Sequence, residues 1–237
     1  MTLLAHSGSN KITREELALV PTPEATTTHQ PVPHHRIVEA LLETLGFRHL
    51  NVVRDEYAVS QNGMKMFGVL DLETEWSGVR FSIGVRNAND KSMRLALTVG
   101  YRVFVCDNMA FSGDFSPVLH KHTRRLDLVD MISVGVDKIQ RNFEPLGRQI
   151  EEWRGRELTT ERAKLAIYGA FVEGKLTAPR HLLPAVHNHY FEPAFEEFKA
   201  RTLWSLSNAF TSAFKQLKPV AQFQATAKLG GYLQSLN

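Results

Sequence analysis

The feature that most constrains the fold is a strict two-residue alternation in the middle of the chain. In "RFSIGVR", apolar Phe81, Ile83 and Val85 alternate with Arg80, Ser82, Gly84 and Arg86. In "RLALTVGYRVFV", Leu95, Leu97, Val99, Tyr101, Val103 and Val105 alternate with Arg94, Ala96, Thr98, Gly100 and Arg102. A period of two is that of a strand with one buried face. Two more segments rich in β-branched and aromatic residues, "LNVVRDEYAV" and "MKMFGVLDLE", precede them. Only "QNG", "EWSG" and "NAND" punctuate the series. Connections that short cannot carry a parallel crossover, so the segments predict an antiparallel meander of about four strands.

Helical patterns flank the meander. "TREE", Thr13 to Glu16, has the form of a capping box opening a short helix. A Pro/Thr-rich extended link follows, between Val20 and His34. "RIVEALLETLGF" then places Ile37, Leu41 and Leu45 on one helix face, with Gly46 as its stop. After Thr123 the period changes, and apolar residues recur every three or four positions from Leu126 to Trp153. Pro145 should kink or break that long helix. Further helices are expected from about 161 to 172 and from about 194 to 217. The fold class is therefore α+β: an antiparallel sheet flanked by an N-terminal helix and a long helix, with a helical C-terminal part. The expected organisation is an arm and linker (1–33), an α+β core (34–156) and a helical part (157–237).

The single cysteine, Cys106, excludes an internal disulfide and fits a reducing, cytoplasmic setting. No signal-peptide pattern opens the chain, and no apolar run reaches the roughly 20 residues that span a bilayer. The formal net charge is only +3, but it is unevenly spread. Residues 80–125 carry a net +5 and residues 200–237 a net +4, which points to an anionic partner.

The alternation suggests where that partner would bind. If the connection between the two Arg-bearing strands keeps their registers in phase, Arg80, Arg86, Arg94 and Arg102 share one face, separated by small residues. Small residues would let an extended ligand lie close, and arginines pair with phosphates through bidentate hydrogen bonds. No Asp or Glu is expected on that face, whereas a solvated sheet face, the alternative reading, usually mixes signs. Lys91, Lys121, Arg124 and Arg125 would extend the basic surface, and Asn87, Asn89, Ser92 and Asn108 are expected at its rim. Tyr101 falls on the apolar face, so no base-stacking role is expected for it.

Other constellations are weaker. Cys106 could act as a nucleophile with His120 or His122 as its base, but a small buried thiol is the commoner state. His120 and His122 could share one face as metal ligands, yet no third ligand stands at a recognised spacing. "HNHY" (His187 to Tyr190) reads as a surface loop. Asp71 and Glu73 resemble nuclease carboxylates without the matching lysine. No cofactor, metal or catalytic residue is expected.

The stretch "RNANDKSMRLALTVGYRVFVCDNMAFSGDF", with "VVRDEYAVS", "GMKMFGVLDLE", "RNFEPL", "FVEGKL" and "WSLSNAFTSAFK", resembles the phage/plasmid-like family built on domain of unknown function 932. The likeness extends over nearly the whole chain. It implies a mobile-element origin and brings no catalytic residues with it. By analogy of element order alone, the chain is also similar to phage single-strand annealing recombinases of the RecT and Erf kinds, which oligomerise and lay single-stranded DNA along a basic groove. The resulting expectation is a nucleic-acid-binding homo-oligomer favouring single-stranded DNA. The alternative is a protein-interaction module, such as an inhibitor of a host defence system.

Overall fold

The computed structural model describes residues 9–104, 106, 108–111, 118–123, 126–217 and 219–236. It is α+β, as the alternation requires, but the sheet is larger than four strands. Seven antiparallel strands are described: β1 (Ser9–Ile12), β2 (Val52–Ser60), β3 (Lys65–Trp76), β4 (Val79–Ala88), β5 (Leu95–Val103), β6 (Met109–Phe111) and β7 (Val118–His120). The first six follow one another across the sheet, and β7 pairs with the start of β5 while β6 pairs with its end. The expected meander is β2 to β5. The extra strands are three or four residues long, too short to show a period.

The N-terminal arm is thus part of the sheet. Behind β1, the helix α1 (Arg14–Leu17) has the expected capping box: Thr13 accepts from the Glu16 amide, and the Glu16 carboxylate accepts from the Thr13 amide. Helix α2 (His34–Phe47) buries Ile37, Leu41 and Leu45. Gly46 is not its stop. His49 takes the left-handed conformation instead (φ 55°), and the Leu50 amide donates back to Leu45 O.

The long helical period after Thr123 is broken near Pro145 into α3 (Leu128–Arg141) and α4 (Phe143–Gly155). Then come α5 (Thr160–Phe171), α6 (Leu183–Phe191), α7 (Leu203–Phe214) and α8 (Pro219–Gln234). Two expectations fail here. "HNHY" belongs to α6 rather than to a loop, and residues 194–202 are not helical apart from a short 3-10 turn at Glu196–Phe198. Thr202 caps α7 by accepting from the Ser205 amide, which sets that later start.

The helices cover the odd-numbered face of β4 and β5. Phe81 stacks on Phe143 with centroids 4.6 Å apart, and Tyr101 lies 5.8 Å from Trp204. This layer is the main core. No helix among the described residues is long and apolar enough to cross a membrane.

Candidate functional site

The register of β4 on β5 pairs Arg80 with Arg102, Ser82 with Gly100, Gly84 with Thr98 and Arg86 with Ala96. The two even-numbered sets therefore do share one face. That face, however, is not an open groove. Phe111 on β6 packs over it, so closely that a Cβ on Gly84 would come 2.6 Å from Phe111 Cε1. At Gly100 a Cβ would lie 2.5 Å from Ala110 O and 2.7 Å from Phe111 Cδ1. The small residues make room for the chain's own aromatic side chain. With Ala58, Val69 and Met109, Phe111 forms a second, smaller core.

The face is not free of acids either. The neighbouring strands supply Glu56 and Asp71, both buried. Arg102, only 5% exposed, has its Nε 2.8 Å from Asp71 Oδ2 and its Nη2 3.7 Å from Glu56 Oε2. Ser82 Oγ donates to Asp71 Oδ1 at 2.7 Å, and Lys11 and Arg54 both reach Glu56 Oε1. Charges out of water persist only when paired in this way, so Arg102 is structural. Arg80 is paired with Glu75 at 2.7 Å and lies over the Phe104 ring. Arg86 is half-buried, and burial lowers its pKa.

What the structure does bring together lies at the β4–β5 turn. Lys91, Arg94 and Lys121, all exposed, line a concavity of about 410 Å3 with Thr28, Ser92 and Thr123. His29, His122 and Met93 also line it, and among the described lining residues there is no carboxylate. Among the described residues none of the three cations is in an ion pair. The nearest acid in sequence, Asp90, is engaged: it lies 3.4 Å from Lys65 Nζ and accepts from the Ser92 amide and hydroxyl. The left-handed residue of the turn is Lys91 (φ 66°), not an Asn or Asp. Arg124 and Arg125, expected beside it, lie outside the described residues.

Three of the four expected rim residues do other work. Asn87, Asn89 and Asn108 are buried, and only Ser92 is exposed. Asn89 exchanges two hydrogen bonds with the Val32 backbone, through Oδ1 at 3.0 Å and Nδ2 at 3.1 Å. Asn87 Nδ2 donates to Val32 O and His34 Nδ1, and its Oδ1 accepts from His122 Nε2 at 2.6 Å. His34 Nε2 donates to Gly63 O, and His29 Nε2 to Asn89 O. The Pro/Thr-rich link is thereby fastened across the end of the sheet, and its Thr28 and His29 become one wall of the concavity. Asn108 instead donates to Asn208 and Ser212, both on α7.

Burial in this network disfavours the charged forms of His122 and His34. Burial, with the His29 and His34 rings nearby, pushes His122 down to about 4. Burial likewise lowers His34. His122 is therefore neutral near pH 7, and Lys91, Arg94 and Lys121 bring positive charge to the concavity. His120 is exposed at the end of β7 while His122 is buried, so the pair does not act together. Among the described residues no group of three His, Cys, Asp or Glu side chains could hold a metal ion.

Sequence reasoning missed His29, His34 and Thr28, whose contribution depends on where the link docks. It also missed Glu56 and Asp71 as partners of Arg102, although an acid inside the apolar run "GVLDL" was a visible signal for a buried cation. No family model matches the chain, and no curated protein or solved structure is significantly similar to it.

Proposed function

We propose that this protein binds nucleic acid through the phosphate backbone, at the concavity beside the β4–β5 turn, with single-stranded DNA as the favoured ligand. The observation that carries this reading is the convergence of Lys91, Arg94 and Lys121 around one concavity, with three hydroxyl-bearing residues and, among the described residues, no carboxylate. Cations and hydroxyls are the groups that hold phosphate oxygens. A concavity of about 410 Å3 suits a short stretch of a flexible strand. Among the described lining residues Met93 alone is apolar, so the reading relies on charge rather than base stacking. A mobile-element origin and self-association along the strand, implied by the family resemblance and the recombinase analogy, belong to the same proposal.

The test is fluorescence anisotropy of labelled single- and double-stranded oligonucleotides across a salt series. Single strands should bind more tightly, with affinity falling steeply as salt rises. In Lys91→Ala/Arg94→Ala/Lys121→Ala the salt slope should shrink by roughly 2, at about 0.7 per phosphate contact on a single strand. An unchanged slope and affinity in the triple variant would remove the site.

The second reading, a protein-interaction module such as an inhibitor of a host defence system, is favoured by a different feature. Leu165, Tyr168 and Val172 form an exposed apolar stripe along α5 and its C-terminal end. A specific protein captured without nucleic acid, and lost on Leu165→Asp, would favour that reading over the first.

A further inference from the structure

The positive charge of the turn end is gathered at one place rather than spread along a track. Lys91 and Arg94 come from the β4–β5 turn and Lys121 from the segment after β7, and all three stand exposed around one concavity. Among the described residues their side chains make no hydrogen bond or ion pair. Two hydroxyls of the same lining, Thr28 on the docked link and Thr123 after β7, are likewise uncommitted among the described residues. The Ser92 hydroxyl is not, since it donates to Asp90 Oδ1. Three separate chain segments thus bring donors to one point. Further along the same sheet face the cations are already matched: Arg102 lies against Asp71 and Glu56, and Arg80 against Glu75.

We propose that the group this site prefers is a phosphate monoester, as found at the end of a strand, over the phosphodiester of a strand's interior. The inference rests on the nucleic-acid reading above and narrows it. A phosphodiester carries one negative charge and two free oxygens. A monoester carries about −1.5 to −2 at neutral pH and offers three strong acceptor oxygens. Three cations around one concavity repel one another, and the more highly charged group relieves more of that repulsion. Three oxygens also allow one acceptor for each of Lys91, Arg94 and Lys121, through charge-assisted bonds. An interior phosphate would bring less charge to the same cations, and the phosphates beside it, laid along the sheet face, would find Arg80 and Arg102 already paired.

The test uses the full chain and one single-stranded sequence, labelled at an interior base and ending in a 5′-phosphate, a 3′-phosphate or hydroxyls at both ends. In fluorescence anisotropy at constant salt, a phosphorylated form should bind roughly tenfold more tightly than the hydroxyl-ended strand, the effect of one added charge-assisted hydrogen bond. Whether the 5′ or the 3′ form shows it gives the polarity of the bound strand. The advantage should vanish in Lys91→Ala/Arg94→Ala/Lys121→Ala, which removes only exposed side chains. An unlabelled nucleoside 5′-monophosphate distinguishes the two sources of a monoester: displacement as strong as by the phosphorylated strand identifies a free nucleotide, and weaker displacement identifies the strand end. Equal binding of all three strands, or a phosphate advantage that survives in the triple variant, overturns the inference. If the triple variant then still binds every strand more weakly than the original protein, binding through the backbone stands without it. No binding of any strand removes both.

Discussion

Arg94 and Arg102 bracket β5 and fall on the same side of its alternation, yet they have opposite fates. Arg94, just before the strand, stands in solvent at the edge of a concavity lined by other cations. Arg102, near the far end, is buried between Asp71 and Glu56, with β6 paired alongside it in the sheet. The strand pattern is the same for both; what differs is which neighbouring strand lies across. A basic residue on a sheet face becomes a ligand contact or a structural cation according to whether adjacent strands bring acids to the same face. The central part of this face is consumed by folding, whereas at the turn end Lys91, Arg94 and Lys121 remain exposed.

The largest effect that tests this contrast is expected at Arg102. Arg102→Ala leaves Asp71 and Glu56 buried without their shared cation, at a cost of about 3–5 kcal/mol. Urea denaturation would show it as a fall in the midpoint, and a loss under 1 kcal/mol would mean that the pair is effectively solvated. Gly100→Ala comes next. Its methyl would collide with Ala110 O, a backbone atom that cannot swing aside, and with the Phe111 ring. Overpacking of this kind costs about 1–3 kcal/mol. A neutral result would show that β6 can lift off β5, which would reopen the groove that the small residues otherwise close.

The sheet was legible in the sequence for a simple reason. Strands β3 to β5 are long enough, and one-sided enough, for a period of two to be visible, and the turns between β2 and β5 are short. What was not legible depends on contacts between distant segments. The "VVRDEYAVS" segment carries Arg54, Asp55 and Glu56 in succession, so alternation alone does not say which one is buried. Only the register, with Glu56 opposite Val69 and Asp71 opposite Ser82, puts Glu56 and Asp71 on the arginine face. Likewise, Asn87 and Asn89 looked like turn residues because Asn is common in turns. Their side chains instead satisfy the Val32 backbone, and that role appears only once the link has crossed the sheet end. The basic residues of the turn are visible as charges in the sequence, whereas the histidine-bearing wall opposite them depends on where the link docks.

An intermediate effect is expected from pH, and it separates the network under the basic site from the site itself. The folded-state pKa of His122 is depressed to about 4, so the unfolded chain takes up a proton more readily than the folded one. Its contribution to stability is complete above about pH 6.5 and is lost as pH falls towards 4. His34, also depressed, acts in the same direction. Between pH 6.5 and 5, where most carboxylates remain ionised, the loss attributable to His122 should be about 1–2 kcal/mol. Denaturation midpoints measured across that window should therefore fall with acid. In His122→Gln, which retains a donor for Asn87 but does not titrate, the slope should flatten. An identical slope in the variant would place the pH dependence elsewhere.

The smallest effect on stability belongs to the residues assigned to binding. Lys91, Arg94 and Lys121 are exposed and, among the described residues, make no ion pair, so their removal withdraws nothing from the folded state. Arg94→Ala should change unfolding free energy by no more than about 0.5 kcal/mol. Its replacement could even stabilise slightly, because three like charges around one concavity repel each other. Mutual repulsion without local compensation is what a site awaiting an anion must tolerate, so added inorganic phosphate or pyrophosphate should raise the melting temperature of the original protein more than that of Arg94→Ala. Arg102 offers no such contrast, since its partners are already in the chain. If Arg94→Ala instead destabilised the fold as much as Arg102→Ala, the turn-end arginine would be structural as well, and the separation between a consumed face and an available edge would collapse.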